Sequence, residues 1–335
     1  MPAATEDTEP ICERCIWNLD HEGLIRTGPC NANSWAGSVQ KELLENTIAP
    51  DLSADPGPFA AYMRCAAISM IKDEADIIGH NLRWLFHSGV RRFVLMDNIS
   101  TDGTLSELQR FQIAHPTAEI LVLRDPVVAH YQAEKVTAMA QLAKAHWPDI
   151  DWILPVDADE FCIARHGFQA LAYVPQKVQA LTIPKTIHFL PAGAPHEADA
   201  NPMARMSVRS ALFCVPPKVF LRARPGLGVS QGNHKVIAAD GSRICYSGGF
   251  QWGFYHREFQ TRSFAQFLRK VRNGGAAILA ARAENRDVGG EHWMAWHEVL
   301  SRDGEAGLRT VFESACFRTP DGRYVTDPFP GAPEA

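Results

Sequence analysis

The strongest constraint on this chain is an alternation, repeated four times between Met63 and Val156, of short apolar runs with helical repeats. Ala66 to Ile71 is the first run, and Ile78, Leu82, Leu85 and Phe86 then recur at helical spacing until Gly89. Arg92 to Met96 is the second run, and Leu105, Leu108 and Phe111 mark the second helix. Ile120 to Leu123 and Trp152 to Val156 are the third and fourth strands, with a helix over roughly His130 to His146 between them. Such alternation builds right-handed βαβ units around a mostly parallel sheet, an α/β fold of Rossmann type with flanking helices. Ligands bind such sheets beyond the carboxyl ends of the strands. Polar residues gather at those ends: Lys72 to Glu74, Asp97 to Asp102, and Asp157 to Asp159.

The fourth run, Ile153 to Val156, ends in Asp157, Ala158, Asp159 and Glu160. Asp157 and Asp159 are two residues apart, so in extended backbone they project to one side. Two carboxylates facing one way repel each other unless a positive charge sits between them. A hard divalent cation, Mn²⁺ or Mg²⁺, meets that need. A solvated acidic turn closing a strand has the same residue pattern, but the buried run before it favours a site. The loop after the second strand, Asp97-Asn-Ile-Ser-Thr-Asp-Gly103, is rich in short acceptors, and its glycine permits a tight turn. Asp97, Asn98, Ser100 and Asp102 are suited to the base and ribose of a nucleotide. An Asx-turn and helix cap is the local alternative.

Composition excludes other classes. With 335 residues, 46% hydrophobic and 21% charged, the chain is that of an ordinary globular protein. A net charge of −5 argues against a general nucleic-acid partner. No apolar run is long enough to span a membrane, and Met1 to Pro10 has no apolar core of a signal peptide. Cys65, Cys162, Cys214, Cys245 and Cys316 lie singly in apolar surroundings, as buried thiols of a reducing, cytoplasmic compartment would. Residues 1–60 form an extension of unknown role. Within it Cys12, Cys15, His21 and Cys30 offer four zinc-ligand types without the second Cys-x-x-Cys of a strong motif, and Ala49 to Pro58 reads as a linker.

Taken together, Ile71-Lys-Asp-Glu-Ala-Asp76, Asp97-Asn-Ile-Ser-Thr-Asp-Gly-Thr104 and Val156-Asp-Ala-Asp-Glu-Phe161 resemble the nucleotide-sugar half of a family 2 glycosyltransferase of GT-A fold. Gln231-Gly-Asn-His-Lys-Val236 and the segment from Arg262 to Gly275 resemble a bacterial subgroup of it. The likeness spans about Met63 to His297 and departs at Asp73, where the family's motif has Asn. The resemblance implies an inverting transfer from a nucleotide diphosphosugar to a hydroxyl acceptor, a glycan, lipid or small molecule. It implies Asp97 at the base, Asp157 near ribose and metal, and Asp159 on the metal. Lys72, Glu74, Lys135 and His234 complete the expected donor-binding set. It also implies a GT-A domain over 61–262 and a helical C-terminal region over 263–335.

The second half must supply the acceptor side. Ala180 to Ile183 and Val219 to Leu221 read as strands; His234 to Ile237 and Arg243 to Tyr246 read as a hairpin around Asp240-Gly241. His256, after an aromatic run, is a candidate third metal ligand, although a lone His there is also what a packed residue looks like. An inverting transfer needs a base. Glu258 is the first candidate, and Asp199 and Glu197 are the alternatives. Ser263 to Arg272 reads as a helix closed by Gly274-Gly275, with Arg262, Arg269, Lys270 and Arg272 as a basic flank. His292-Trp-Met-Ala-Trp-His297 suits either a sugar face or the core. Two other activities remain open at this point: a haloacid-dehalogenase-like phosphatase using Asp157 and Asp159, and a non-catalytic carbohydrate-binding protein.

Overall fold

The computed structural model describes residues 61–127, 131–194, 201–284, 290–329 and 331. The possible zinc ligands Cys12, Cys15, His21 and Cys30, and the base alternatives Glu197 and Asp199, lie outside the described residues.

The expected alternation is present. β1 (Cys65–Ile71), α1 (Ile78–His87), β2 (Arg92–Asp97), α2 (Thr104–Ala114), β3 (Glu119–Arg124), α3 (Gln132–His146) and β4 (Trp152–Pro155) follow in chain order. After them come β5 (Glu160–Ala164), β6 (Ala180–Pro191), α4 (Pro202–Arg205), β7 (Val208–Ser210), β8 (Cys214–Arg222), β9 (Leu227–Val229) and β10 (Val236–Ala238). The chain continues through β11 (Tyr246–Gly248), β12 (Phe254–Glu258), α5 (Phe264–Ala283), α6 (Glu291–Cys316), β13 (Phe317–Arg318) and β14 (Tyr324–Thr326).

The main sheet runs β14-β7-β6-β8-β4-β1-β2-β3. Its half β4-β1-β2-β3 is parallel, whereas β8 is antiparallel to both β4 and β6. β11, β12 and β13 pair parallel with β6, and β5 pairs antiparallel with β12. β1, β2 and β4 are buried on both faces, which accounts for their unbroken apolar runs, whereas the edge strand β3 is partly exposed. In β1, Cys65 and Ala67 join the layer containing Ile78, Leu82, Leu85 and Phe111, while Ala66 and Ile68 join the layer containing Val136, Met139 and Ala143 of α3. The fold is therefore α/β, with helices on both faces of a central parallel sheet and a helical C-terminal region.

Three local expectations are corrected. The hairpin around Asp240-Gly241 does not form. β10 pairs with β9, and the chain after the turn leaves to run parallel to β6 as β11, so the free side of a long central strand captures it. Gly274 and Gly275 do not end α5, which continues to Ala283. They permit close helix packing instead: a Cβ at Gly275 would lie 2.2 Å from the ring of His297, and one at Gly274 would lie 3.4 Å from Trp293. That packing also accounts for the aromatic segment of α6, where Trp296 meets Phe267 edge to face at 5.1 Å. Of the five single cysteines, Cys245 is exposed and the other four are buried. No helix among the described residues is long and apolar enough to cross a membrane.

Candidate active site

β1 leads through β2 to β3 on one side, and β4 lies on the other side of β1. The strand order thus reverses between β1 and β4, which opens a crevice beyond their carboxyl ends. Three loops meet there: Lys72 to Asp76 after β1, Asn98 to Gly103 after β2, and Val156 to Asp159 after β4. Among the described residues, three that are not glycine have left-handed backbone: Asp73 (φ 53°), Ile99 (φ 53°) and Asn233 (φ 58°). Asp73 and Ile99 lie in the first two of these loops, and Asn233 reaches Asp157 of the third. Such conformations cost about 1–3 kcal/mol each and persist where surrounding contacts hold them.

Those contacts are specific. Asp73 Oδ1 accepts from the Thr101 amide at 2.6 Å, and the Asp73 amide donates to Ser100 Oγ at 3.0 Å. The Glu74 amide donates to Thr104 Oγ1 at 3.0 Å, and that of Ala75 to Asp102 Oδ2 at 3.2 Å. Lys72 Nζ donates to the Ile99 carbonyl at 2.6 Å. Asp97 has no exposed surface and accepts from the Ser100 amide at 3.3 Å. Asn98 Nδ2 donates to Asp125 Oδ2 at 2.7 Å, and Lys135 Nζ lies 2.5 Å from the same oxygen. Asp97, Asn98, Ser100, Asp102 and Lys135 therefore build the loops that border the crevice. Asp102 Oδ1 also accepts from the Thr104 amide at 2.9 Å, an Asx-turn at the entry to α2, whose N-cap is Gly103.

A ring of buried charge lies beneath these loops. Lys218 Nζ bridges Asp157 Oδ2 at 2.6 Å and Glu160 Oε1 at 3.1 Å, and donates to the Gly232 carbonyl at 2.9 Å. Lys270 Nζ bridges Asp159 and Glu74, the latter at 3.2 Å. Arg262 clasps Asp76 through Nε at 2.7 Å and Nη2 at 2.8 Å, and also pairs with Glu74. Lys185 Nζ lies 3.0 Å from Glu258. Burial pushes the Asp157 carboxyl up; the Lys218 ammonium pulls it down, but Glu160 and Asp159 add to the rise. Burial also raises Asp159, yet Lys270 and Arg262 more than offset this and hold it below the usual range. Glu258 is raised by burial against the pull of Lys185.

Local sequence places the basic members. Ser263 caps α5, accepting from the Gln266 amide at 3.2 Å, while Gln266 Oε1 accepts from the Arg262 amide at 3.1 Å. This close relative of a capping box fixes Arg262 at the mouth of the helix. Gln266, Lys270 and Asn273 follow at i, i+4 and i+7 and share one face. Asn273 reaches Asp73 Oδ2 at 2.7 Å. The register of β6 against β8 shifts between Ile183 and Lys185, an irregularity of the kind that re-aims a side chain beside a site.

The expected metal set is not gathered. His256 is fully buried below the rim, its Nδ1 3.4 Å from Glu160 Oε2, and among the described residues neither ring nitrogen has a hydrogen-bond partner. Among the described residues, no three His, Cys, Asp or Glu side chains are arranged to hold an ion. His234 lies beside Lys218 with Nδ1 2.8 Å from the Pro217 carbonyl; burial and that ammonium lower its pKa to about 4. Sequence reasoning missed Lys218, Lys185, Asn233 and Gln132. Asn233 Nδ2 and Gln132 Nε2 both lie 3.3 Å from Asp157 Oδ1. The available signal was a lysine inside an otherwise apolar strand, because a buried ammonium must be paired.

No family model and no curated protein matches the chain. Among solved structures, it is similar to a mannosyltransferase, PcManGT from Pyrobaculum calidifontis, in complex with GDP-Man and Mn²⁺. The identity is 13% and the TM-score 0.36, over 84% of this chain and 85% of that one. It is also similar to a 4-diphosphocytidyl-2C-methyl-D-erythritol synthase, at 14% identity and a TM-score of 0.29, over 49% of this chain and 77% of that one. HddC from Yersinia pseudotuberculosis matches at 7% identity and a TM-score of 0.32, over 55% and 88% of the two chains.

Proposed function

We propose that this chain transfers a sugar from a nucleotide diphosphosugar to a hydroxyl acceptor, with inversion, as a GT-A glycosyltransferase of family 2. The observation that carries the reading is the ring of paired carboxylates and ammonium groups at the point where strand order reverses. Strained loops after β1 and β2 border it. Departure of a nucleoside diphosphate builds negative charge, and fixed cations in a water-poor crevice stabilise that charge far better than water does. Lys218, Lys270 and Arg262 supply such cations. The backbone of the loop after β2, held by Asp97, Asn98 and Asp102, forms the wall for the nucleoside.

The donor chemistry fits a hard divalent ion. Six carboxylates (Glu74, Asp76, Asp157, Asp159, Glu160 and Glu258) meet four cations (Lys185, Lys218, Arg262 and Lys270), leaving the ring formally two charges negative. Asp157 and Asp159 are the residues that would hold Mn²⁺ or Mg²⁺, which supplies Lewis-acid neutralisation of a leaving diphosphate. Glu258 is the base in this reading. Its raised pKa brings it nearer the operating pH, where a general base is most effective.

A thermal-shift panel of nucleotide diphosphosugars, with and without Mn²⁺, tests the reading, since a ligand of the native state raises the melting temperature. Stabilisation by at least one donor, and not by its free sugar, is expected. No shift with any donor would oppose the reading, and a shift with free sugars alone would favour a carbohydrate-binding protein.

A further inference from the structure

The cations of the ring are not held alike. Arg262 is fully buried and clasps Asp76 with two nitrogens. Lys218 is 5% exposed and has three partners, Asp157, Glu160 and the Gly232 carbonyl. Lys270 is 22% exposed, and its partners among the described residues are carboxylates, those of Asp159 and Glu74. A lysine is a point charge on a flexible four-carbon stem and moves at lower cost than a guanidinium fork. Asp159 is also one of the two carboxylates to which the transferase reading gives a divalent ion, and an ion there must displace the Lys270 ammonium.

Resting on the transferase reading, we propose that Lys270 is a placeholder cation: it neutralises Asp159 and Glu74 in the empty site, yields Asp159 to a divalent ion, and turns to the donor's diphosphate. The move suits its position on α5. Asn273, on the same face, and the Arg262 side chain at the helix mouth anchor α5 to the rim through Asp73 and Asp76, so the Lys270 side chain can swing while the backbone stays. A second observation places polar demand in the crevice. Asn233 is 2% exposed and strained at φ 58°, and among the described residues its Oδ1 has no partner although its Nδ2 reaches Asp157. The placeholder explains how a ring with surplus carboxylates stays folded without an ion. It also predicts opposite effects of one substitution on two ligands, which a purely structural lysine does not.

The test uses Lys270→Gln, whose amide still donates to the carboxylates, and Lys270→Met as a second variant. Arg302→Gln, an exposed pair with Asp303 far along α6, is the control. Isothermal titration with Mn²⁺ alone, without nucleotide, is expected to show affinity rising on the order of tenfold in both Lys270 variants, as loss of one competing charge implies. Titration with GDP and UDP at saturating Mn²⁺ is expected to show affinity falling by a similar factor. Unchanged or weaker Mn²⁺ binding in both folded variants would overturn the proposal, as would unchanged nucleotide affinity. If the wild type binds neither nucleotide, the transferase reading and the diphosphate half of the proposal fall together, while the Mn²⁺ titration still decides the competition.

Discussion

Asn273 on α5 donates to Asp73 Oδ2 at 2.7 Å, joining residues 200 positions apart in the chain. Asp73 in turn accepts from the Thr101 amide, so one carboxylate ties the helix to the loops after β1 and β2. Its left-handed backbone is held from both sides. Replacing Asn273 with Ala removes a hydrogen bond to a charged group, at an expected cost of about 1.5–3 kcal/mol. Urea unfolding reads the cost. Hydrogen exchange at the Thr101 amide reads the loosening, which is expected to speed exchange there.

Removing Arg262 is expected to be costly. Arg262→Met would leave Glu74 and Asp76 buried without their shared guanidinium, and breaking such a pair typically costs about 3–5 kcal/mol. Arg262→Lys keeps the charge and loses the two-nitrogen clasp of Asp76, so an intermediate loss is expected. Chemical denaturation of the two variants side by side measures the order. Equal stability of Met and wild type would contradict the account of the ring.

His234 makes stability depend on acid. Its pKa falls from 6.5 to about 4 on folding, because burial and the Lys218 ammonium disfavour the charged ring. The unfolded chain therefore binds the proton more readily, and stability is lost as pH drops from 6.5 through 4. The loss is on the order of 2–3 kcal/mol across that window. His234→Asn removes this contribution, so the variant's stability is expected to fall less over the same range. Denaturant midpoints at pH 7, 5.5 and 4 compare the two.

Glu258→Gln keeps shape and removes basicity. A fall in kcat of roughly 10²- to 10⁴-fold is expected, the usual contribution of a general base, with donor affinity preserved. The wild-type acid limb of kcat is expected above the ordinary glutamate range, because Glu258 is raised, and to vanish in the variant. A limb that survives the substitution would shift the role to another carboxylate.

The parallel half of the sheet was legible because β1, β2 and β4 are buried on both faces and read as unbroken apolar runs, and because the edge strand β3, though partly exposed, keeps a short apolar run. The acidic loop after β4 was legible because Asp157 and Asp159 stand at the end of such a run. The partners of these carboxylates were not. Lys218 is 61 residues from Asp157 and Lys270 is 111 from Asp159, and no local pattern encodes a pairing set by sheet order and helix docking. Gly274 and Gly275 read as a helix stop because glycine weakens helices. Here the close approach of His297 and Trp293 outweighs that weakness. Asp97 read as a ligand residue for its place at a strand end, yet that same place buries it under its own loop.

The most direct test of the central claim is a product balance with a donor identified by thermal shift, an acceptor sugar and Mn²⁺. One nucleoside diphosphate released for each sugar transferred is expected from the wild type. Asp159→Asn is expected to lose both products while remaining folded, since Lys270 keeps Glu74 as a partner. Inorganic phosphate released from a sugar phosphate without nucleotide release, or full turnover by Asp159→Asn, would contradict it.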